Sequence, residues 1–360
     1  MYKKVLFIIC CLSFVFVLGA CKNDKDTSET GVGDGQELAT EETEAADIAA
    51  EEETVMEEKH GITVNFESEL LKDTLEGSSP SKRLYIYLPP SYYESGERYP
   101  VVYFFHGFGE SPTFVFSSEG RFTKAMQQPE MKEFIIVGVD GQMNYGEGSF
   151  WSNSPVTGPW EDYVLKEIIP YVDENYRTIA SAESRGIAGF SMGGFATVNL
   201  SFRNPDVFSC VLATCPGLLK EGSLELAMDS WMGDTSFLEC YGQAFSPNVN
   251  NEKLCDIPAM DGSEADAVIR ENWETGFGNL EEKVDAYLAK NQPLKAIHII
   301  YGSQDYYKWI PEGCVYFSGL LTEKGIKNTL TEVKGGHSLP PDYVDGYLVP
   351  FFTNNLVFED

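Results

Sequence analysis

The chain has 360 residues, a formal net charge of −30 and a sequence pI of about 4.4. So acidic a surface opposes binding to nucleic acid and to other strongly anionic polymers, which are held by clusters of Lys and Arg. The length suits one large α/β domain better than two independent ones.

The N-terminus reads as an export signal, residues 1–20. Met1-Tyr2-Lys3-Lys4 is basic, Val5 to Leu18 is an apolar run too short to span a bilayer comfortably, and Gly19-Ala20 are small residues ahead of a cut site. Leu18-Gly19-Ala20-Cys21 resembles the lipobox of bacterial lipoproteins, which implies a lipid on Cys21. A diacylglyceryl group there supplies the two acyl chains that stable anchoring requires. The expectation is an extracytoplasmic, cell-surface lipoprotein that meets the membrane through that anchor alone.

Residues 21–58 change character. From Lys22 to Glu58 there are fourteen acidic residues and two lysines, a net of −12, with almost no aromatic side chain. Like-charge repulsion and low hydrophobicity predict a solvated tether reaching ~35 Å or more. A folded domain then occupies residues 59–360. Of the cysteines, Cys210, Cys215, Cys240, Cys255 and Cys314 fall in this domain, an odd number without metal-ligand spacing. Buried thiols are expected, with a Cys240–Cys255 disulfide left open.

Two alternating segments, Ile62–Leu70 and Lys82–Leu88, predict early antiparallel strands, the second stopped by Pro89-Pro90. Val101–Phe105 and Phe134–Val139 are continuous apolar runs, the pattern of strands buried on both faces. Asp162–Tyr176 carries Val164, Ile168, Ile169 and Val172 at helical spacing. Ile187–Gly189, a helix from Met192, Val207–Thr214, Ala296–Tyr301 and Thr329–Val333 continue the alternation. Strands alternating with helices predict an α/β sheet of about eight mostly parallel strands covered on both faces. The long segment from Pro216 to Gln292 reads as a cap-like insertion over the site, with a helix from Leu280 to Leu288.

Gly189-Phe190-Ser191-Met192-Gly193 carries G-x-S-x-G spacing between a strand and a helix. Small flanking residues allow the sharp turn that presents a serine hydroxyl above a sheet, so Ser191 is the candidate nucleophile. Four histidines could serve as its base. His60 lies at the tether boundary, His106 ends a strand, where it is expected to brace the following loop, and His298 sits within a strand. His337 follows the last strand in a glycine-rich loop, as the order nucleophile, acid, base requires. Asp305, in the loop leaving the strand before it, is the candidate acid, with Asp342 as the substitute. The oxyanion donors would be the amides of Met192, at a helix N-terminus, and Phe108, in His106-Gly107-Phe108-Gly109.

Tyr85-Ile86-Tyr87-Leu88-Pro89, the His106–Gly109 loop, Gly189–Gly194, Tyr301–Asp305 and Gly336-His337 together resemble the esterase D-like group of the α/β-hydrolase superfamily. Asn153–Tyr163 followed by Ile169–Asp173 is similar to the feruloyl and acetyl xylan esterase branch. The resemblance covers nearly all of residues 59–360. It implies the α/β-hydrolase fold and ester hydrolysis through an acyl-enzyme on Ser191, with His337 moving the proton, Asp305 orienting it, and neither metal nor organic cofactor. The implied substrates are feruloyl or acetyl esters of plant polysaccharide; an exported enzyme argues against S-formylglutathione. Tyr145, Trp151 and Trp309 are candidate substrate walls. Two other readings stand beside this one: a surface glycan-binding protein with little turnover, and acyl transfer to a sugar.

Overall fold

A computed structural model describes residues 59–113, 117, 119–144 and 146–359. The signal, Cys21 and the tether lie outside the described residues, as does Tyr145.

The domain is built on an eight-stranded sheet. In chain order its first strands are β1 (Gly61–Glu67), β2 (Ser81–Tyr87) and β3 (Val101–Phe105), followed by helix α1 (Glu119–Met126) and β4 (Ile135–Val139). A short ribbon, β5 (Asn153–Ser154) with β6 (Gly158–Pro159), precedes a long helical stretch. This begins as α2 (Trp160–Asp162), widens into a π-helical turn over Tyr163–Ile168 and ends as α3 (Ile169–Asn175). Then come β7 (Arg185–Phe190), α4 (Met192–Arg203) and β8 (Cys210–Thr214).

The insertion folds as four helices, α5 (Leu224–Trp231), α6 (Thr235–Phe245), α7 (Glu264–Glu274) and α8 (Leu280–Leu288). The chain ends through β9 (Ala296–Gly302), α9 (Trp309–Glu323), β10 (Thr329–Val333), a second π-helical turn over Tyr343–Leu348 and α10 (Val349–Asn355).

Spatial order in the sheet is β1-β2-β4-β3-β7-β8-β9-β10, and only β2 runs against the rest. Every residue of β3, β4, β7 and β8 is buried, which explains the unbroken apolar sequences of β3 and β4 and the largely apolar ones of β7 and β8. Helices cover both faces of β7. A Cβ on Gly186 would strike Phe352 of α10, whereas one on Gly189, on the opposite face by the two-residue period, would strike Gly193 and Thr197 of α4.

Cys210, Cys215, Cys240, Cys255 and Cys314 are all buried free thiols, so the Cys240–Cys255 option is not taken.

Candidate active site

Seven of the eight strands point their carboxyl ends to one edge, and that edge gathers the chemistry. Ser191 stands between β7 and α4 with φ 56° and ψ −115°, outside the regions comfortable for a residue with a Cβ. Its amide donates to Thr214 O of β8 at 3.0 Å, and its carbonyl accepts from Phe195 N at 3.0 Å, pinning both sides of the turn. The two motif glycines are required by contact. A Cβ on Gly193 would lie 2.0 Å from Phe105 O, and one on Gly189 would lie 2.2 Å from Gly193 O.

His337 follows β10 in a loop that crosses close to the end of β9. A Cβ on Gly302 would sit 2.2 Å from Gly336 O, and Gln304 N donates to Gly335 O at 2.8 Å. This crossing brings His337 Nδ1 to 2.7 Å from Asp305 Oδ2 and His337 Nε2 to 2.8 Å from Ser191 Oγ. With a carboxylate facing Nδ1, the tautomer protonated there leaves Nε2 to accept from the serine hydroxyl. Asp305 is fully buried, and its other oxygen accepts from Tyr307 N at 2.9 Å. Asp342 sits elsewhere, at the start of the second π-helical turn. The rings of Phe190 and Tyr307 pack on the imidazole at centroid distances of 5.0 and 5.2 Å.

Phe108 and Met192 line the same cavity as Ser191, and neither backbone amide has a hydrogen-bond acceptor among the described residues. They are therefore available to a developing oxyanion. Gly148 packs against both donor residues, since a Cβ there would meet Met192 Sδ at 2.3 Å and Phe108 Cδ2 at 2.9 Å.

Below this loop His106 is fully buried. Its Nε2 accepts from Gly141 N at 3.0 Å, so Nδ1 carries the proton and donates to Gly107 O at 2.8 Å. Burial pushes its pKa down, consistent with a neutral brace.

The cavity measures about 300 Å³. Its wall includes Phe237, Trp231 and Phe277 from the insertion, and Tyr306, Tyr307 and Trp309 from the loop after β9 and the start of α9. Trp309 thus lines the cavity, and its Nε1 donates to Ser230 Oγ at 3.0 Å. Trp151 is a correction. It is fully buried, stands edge-on to Phe105 and His106 at centroid distances of 4.9 and 5.0 Å, and does not line the cavity. Two carboxylates, Glu110 and Asp234, interrupt the aromatic wall. Asp234 caps α6 by accepting from Phe237 N at 3.0 Å.

Cys215 Sγ lies within 4.8 Å of the Asp305 and His337 ligand atoms. The 2.7 Å between Nδ1 and Oδ2 is a hydrogen-bond spacing; two ligands on a tetrahedral zinc stand about 3.3 Å apart. Burial also raises the Cys215 thiol to about 11, which opposes the thiolate a metal needs.

A family model described as "Putative esterase" matches residues 80–308. The chain belongs to that family. His337 lies beyond the matched segment, so its place beside Ser191 rests on the fold. An esterase of Mycobacterium tuberculosis (strain H37Rv) is 28% identical over 270 residues, 71% of this chain and 52% of the relative. The chain spans about half the length of the curated relatives it matches first. A protein named endo-1,4-beta-xylanase/feruloyl esterase from Xylanibacter ruminicola is 33% identical over 135 residues, 34% of this chain and 18% of that one. Among solved structures, a ferulic acid esterase superposes with a TM-score of 0.58 at 21% identity, covering 82% of this chain and 97% of the other. The esterase family and this likeness agree with the α/β-hydrolase fold that the motif resemblance implies, and the eight-stranded sheet agrees with the order of elements.

Proposed function

We propose that the protein is a serine carboxylic ester hydrolase that works through an acyl-enzyme and releases feruloyl or acetyl groups from plant polysaccharide or its oligosaccharides. The observation that carries this reading is the continuous relay from Ser191 Oγ through His337 to Asp305, at 2.8 and 2.7 Å, opening into an aromatic cavity. Ser191 attacks the ester carbonyl as its proton passes to His337 Nε2. The carbonyl oxygen, now negative, is met by the Phe108 and Met192 amides, and His337 then protonates the leaving alcohol. Water, deprotonated by the same imidazole, releases the acid and restores Ser191. Asp305 keeps the imidazole oriented and stabilises its charged form. Planar side chains such as Trp309 and Phe237 suit the ring of a hydroxycinnamoyl group.

Ser191→Ala should lower turnover of p-nitrophenyl acetate by ~10⁶. Unchanged turnover would sink the assignment and favour a glycan-binding role. The substrate class is checked by measuring acid released from feruloylated and acetylated xylan; release no faster than from a generic short-chain ester rejects the polysaccharide. Added sugar acceptors should not divert the acyl group from water. Export and lipidation at Cys21, with residues 21–58 as tether, would place the enzyme at the cell surface. Cys21→Ala should then move it from the membrane fraction to the soluble one.

A further inference from the structure

The Phe108 amide can stabilise an oxyanion only if its peptide plane is fixed, and the groups that fix it are close at hand. In a trans peptide the N–H points opposite to the preceding C=O. The direction of Phe108 N–H is therefore set by Gly107 O. That oxygen accepts from His106 Nδ1 at 2.8 Å and from Glu110 N at 3.2 Å.

The other side of Gly107 is held as well, since its own amide donates to Glu110 Oε2 at 2.9 Å. Glu110 thus grips one glycine twice, by its main chain on the carbonyl and by its side chain on the amide. Gln142 Nε2 in turn donates to Glu110 O, and Lys82 Nζ donates to Gln142 O at 2.7 Å, so the grip is anchored to β2. A glycine has no side chain to resist rotation of its peptide planes. Without the carboxylate, Gly107 N–H loses its partner and the glycine is held from its carbonyl side alone, by His106 Nδ1 and Glu110 N, so the plane carrying Phe108 N–H is held less tightly.

We propose that Glu110 is a positioning residue for the oxyanion: its carboxylate locks Gly107 so that the Phe108 amide faces Ser191 Oγ. The inference rests on the esterase reading above. Glu110 touches no reacting atom in this role, and its effect is confined to states that carry a negative oxygen.

The test compares Glu110→Ala, Glu110→Asp and Glu110→Gln on p-nitrophenyl acetate, with phenylboronic acid as a probe that forms a tetrahedral adduct on the serine. Glu110→Ala should lower kcat about 10- to 100-fold with KM nearly unchanged, as for a misplaced donor and short of the ~10²–10³ for a missing one. Boronate affinity should fall by the same factor as kcat/KM. Glu110→Gln keeps an acceptor oxygen for Gly107 N–H and should recover most of the loss, while Glu110→Asp, one methylene shorter, should fall between. Melting temperatures separate these effects from unfolding. If the Ala variant does not fold, the ordering of wild type, Gln and Asp still decides.

The inference is overturned if Glu110→Ala keeps kcat within a factor of about two, if boronate affinity does not follow kcat/KM, or if Gln is as poor as Ala. A silent Glu110→Ala beside an inactive Ser191→Ala rejects this role alone. An active Ser191→Ala rejects the esterase reading itself.

Discussion

Two backbone oxygens explain why positions 189 and 193 carry no side chain. Gly193 O occupies the space a Cβ on residue 189 would need, and Phe105 O the space needed by one on residue 193. Neither oxygen can move without shifting β3 or α4, so the motif is a packing condition as much as a turn preference. This is why Ser191 could be read from five residues, whereas the cavity wall could not. His337 was legible from its glycines and from chain order, and Asp305 from its place after an apolar strand. Tyr306, by contrast, is 64% exposed at the cavity edge and packs on Tyr307 at 4.2 Å, yet nothing in its neighbours separates it from an ordinary loop tyrosine. Trp151 failed for the same reason. An aromatic residue near a site can face the substrate or the core, and only the backbone decides; here φ 45° at Trp151 and the missing side chain of Gly141 turn the indole inward. Glu110 was also unread, because its role depends on a hydrogen bond to a main-chain amide three residues back.

At the scale of elements, the helix expected over Asp162–Tyr176 exists, but its middle is wider than an α-helix. Ile169 N donates to Val164 O, five residues back, and Val349 N donates to Val344 O in the same way. Each wide turn stands directly before a proline, Pro170 or Pro350. A proline offers no N–H, and its ring crowds the carbonyl four residues back, so a local widening relieves the helix. Periodicity was legible there because the buried stripe survives the extra residue.

Of the insertion, its length and its last helix, Leu280–Leu288, were legible, but not the other three helices. Helices α6 and α7 are tied to the cavity by Tyr241, fully buried on α6, whose hydroxyl accepts from Phe277 N at 2.7 Å and donates to Trp273 O at 2.9 Å. Tyr241→Phe leaves the Phe277 amide unpaired in an apolar cluster, while Trp273 O keeps the Gly276 amide at 3.2 Å. The expected cost is about 1–3 kcal/mol in urea unfolding. Because Phe277 forms part of the cavity wall, KM for an aromatic ester should rise more than KM for p-nitrophenyl acetate. Equal changes in the two would show that the helices do not shape the acyl site.

For the molecule as a whole, the strongest pH signature should come from histidines held neutral by the fold. His106 is enclosed between Gly107 O and Gly141 N, with Asp140 at 3.9 Å, and burial lowers its pKa despite that carboxylate. His298, on β9, pairs with Thr331 Oγ1 of β10 at 2.8 Å beside the rings of Tyr347 and Phe351, and burial lowers its pKa as well. In the unfolded chain both titrate near the ordinary histidine value of 6.5. Their contribution is therefore fully present above that pH. As pH falls below it the unfolded state takes up protons that the folded state refuses, so stability is lost by about 1.4 kcal/mol per pH unit for each histidine until its folded pKa is reached. Glu110, raised by burial, acts in the opposite sense, but only near the carboxylate range. Urea unfolding across pH 5–7 should thus steepen below about 6.5, and His298→Gln should remove roughly half of that slope while leaving stability at pH 8 little changed. Gln keeps a polar partner for Thr331, so a slope identical to wild type would mean that His298 already shares its proton with the folded state, and that the acid sensitivity arises elsewhere.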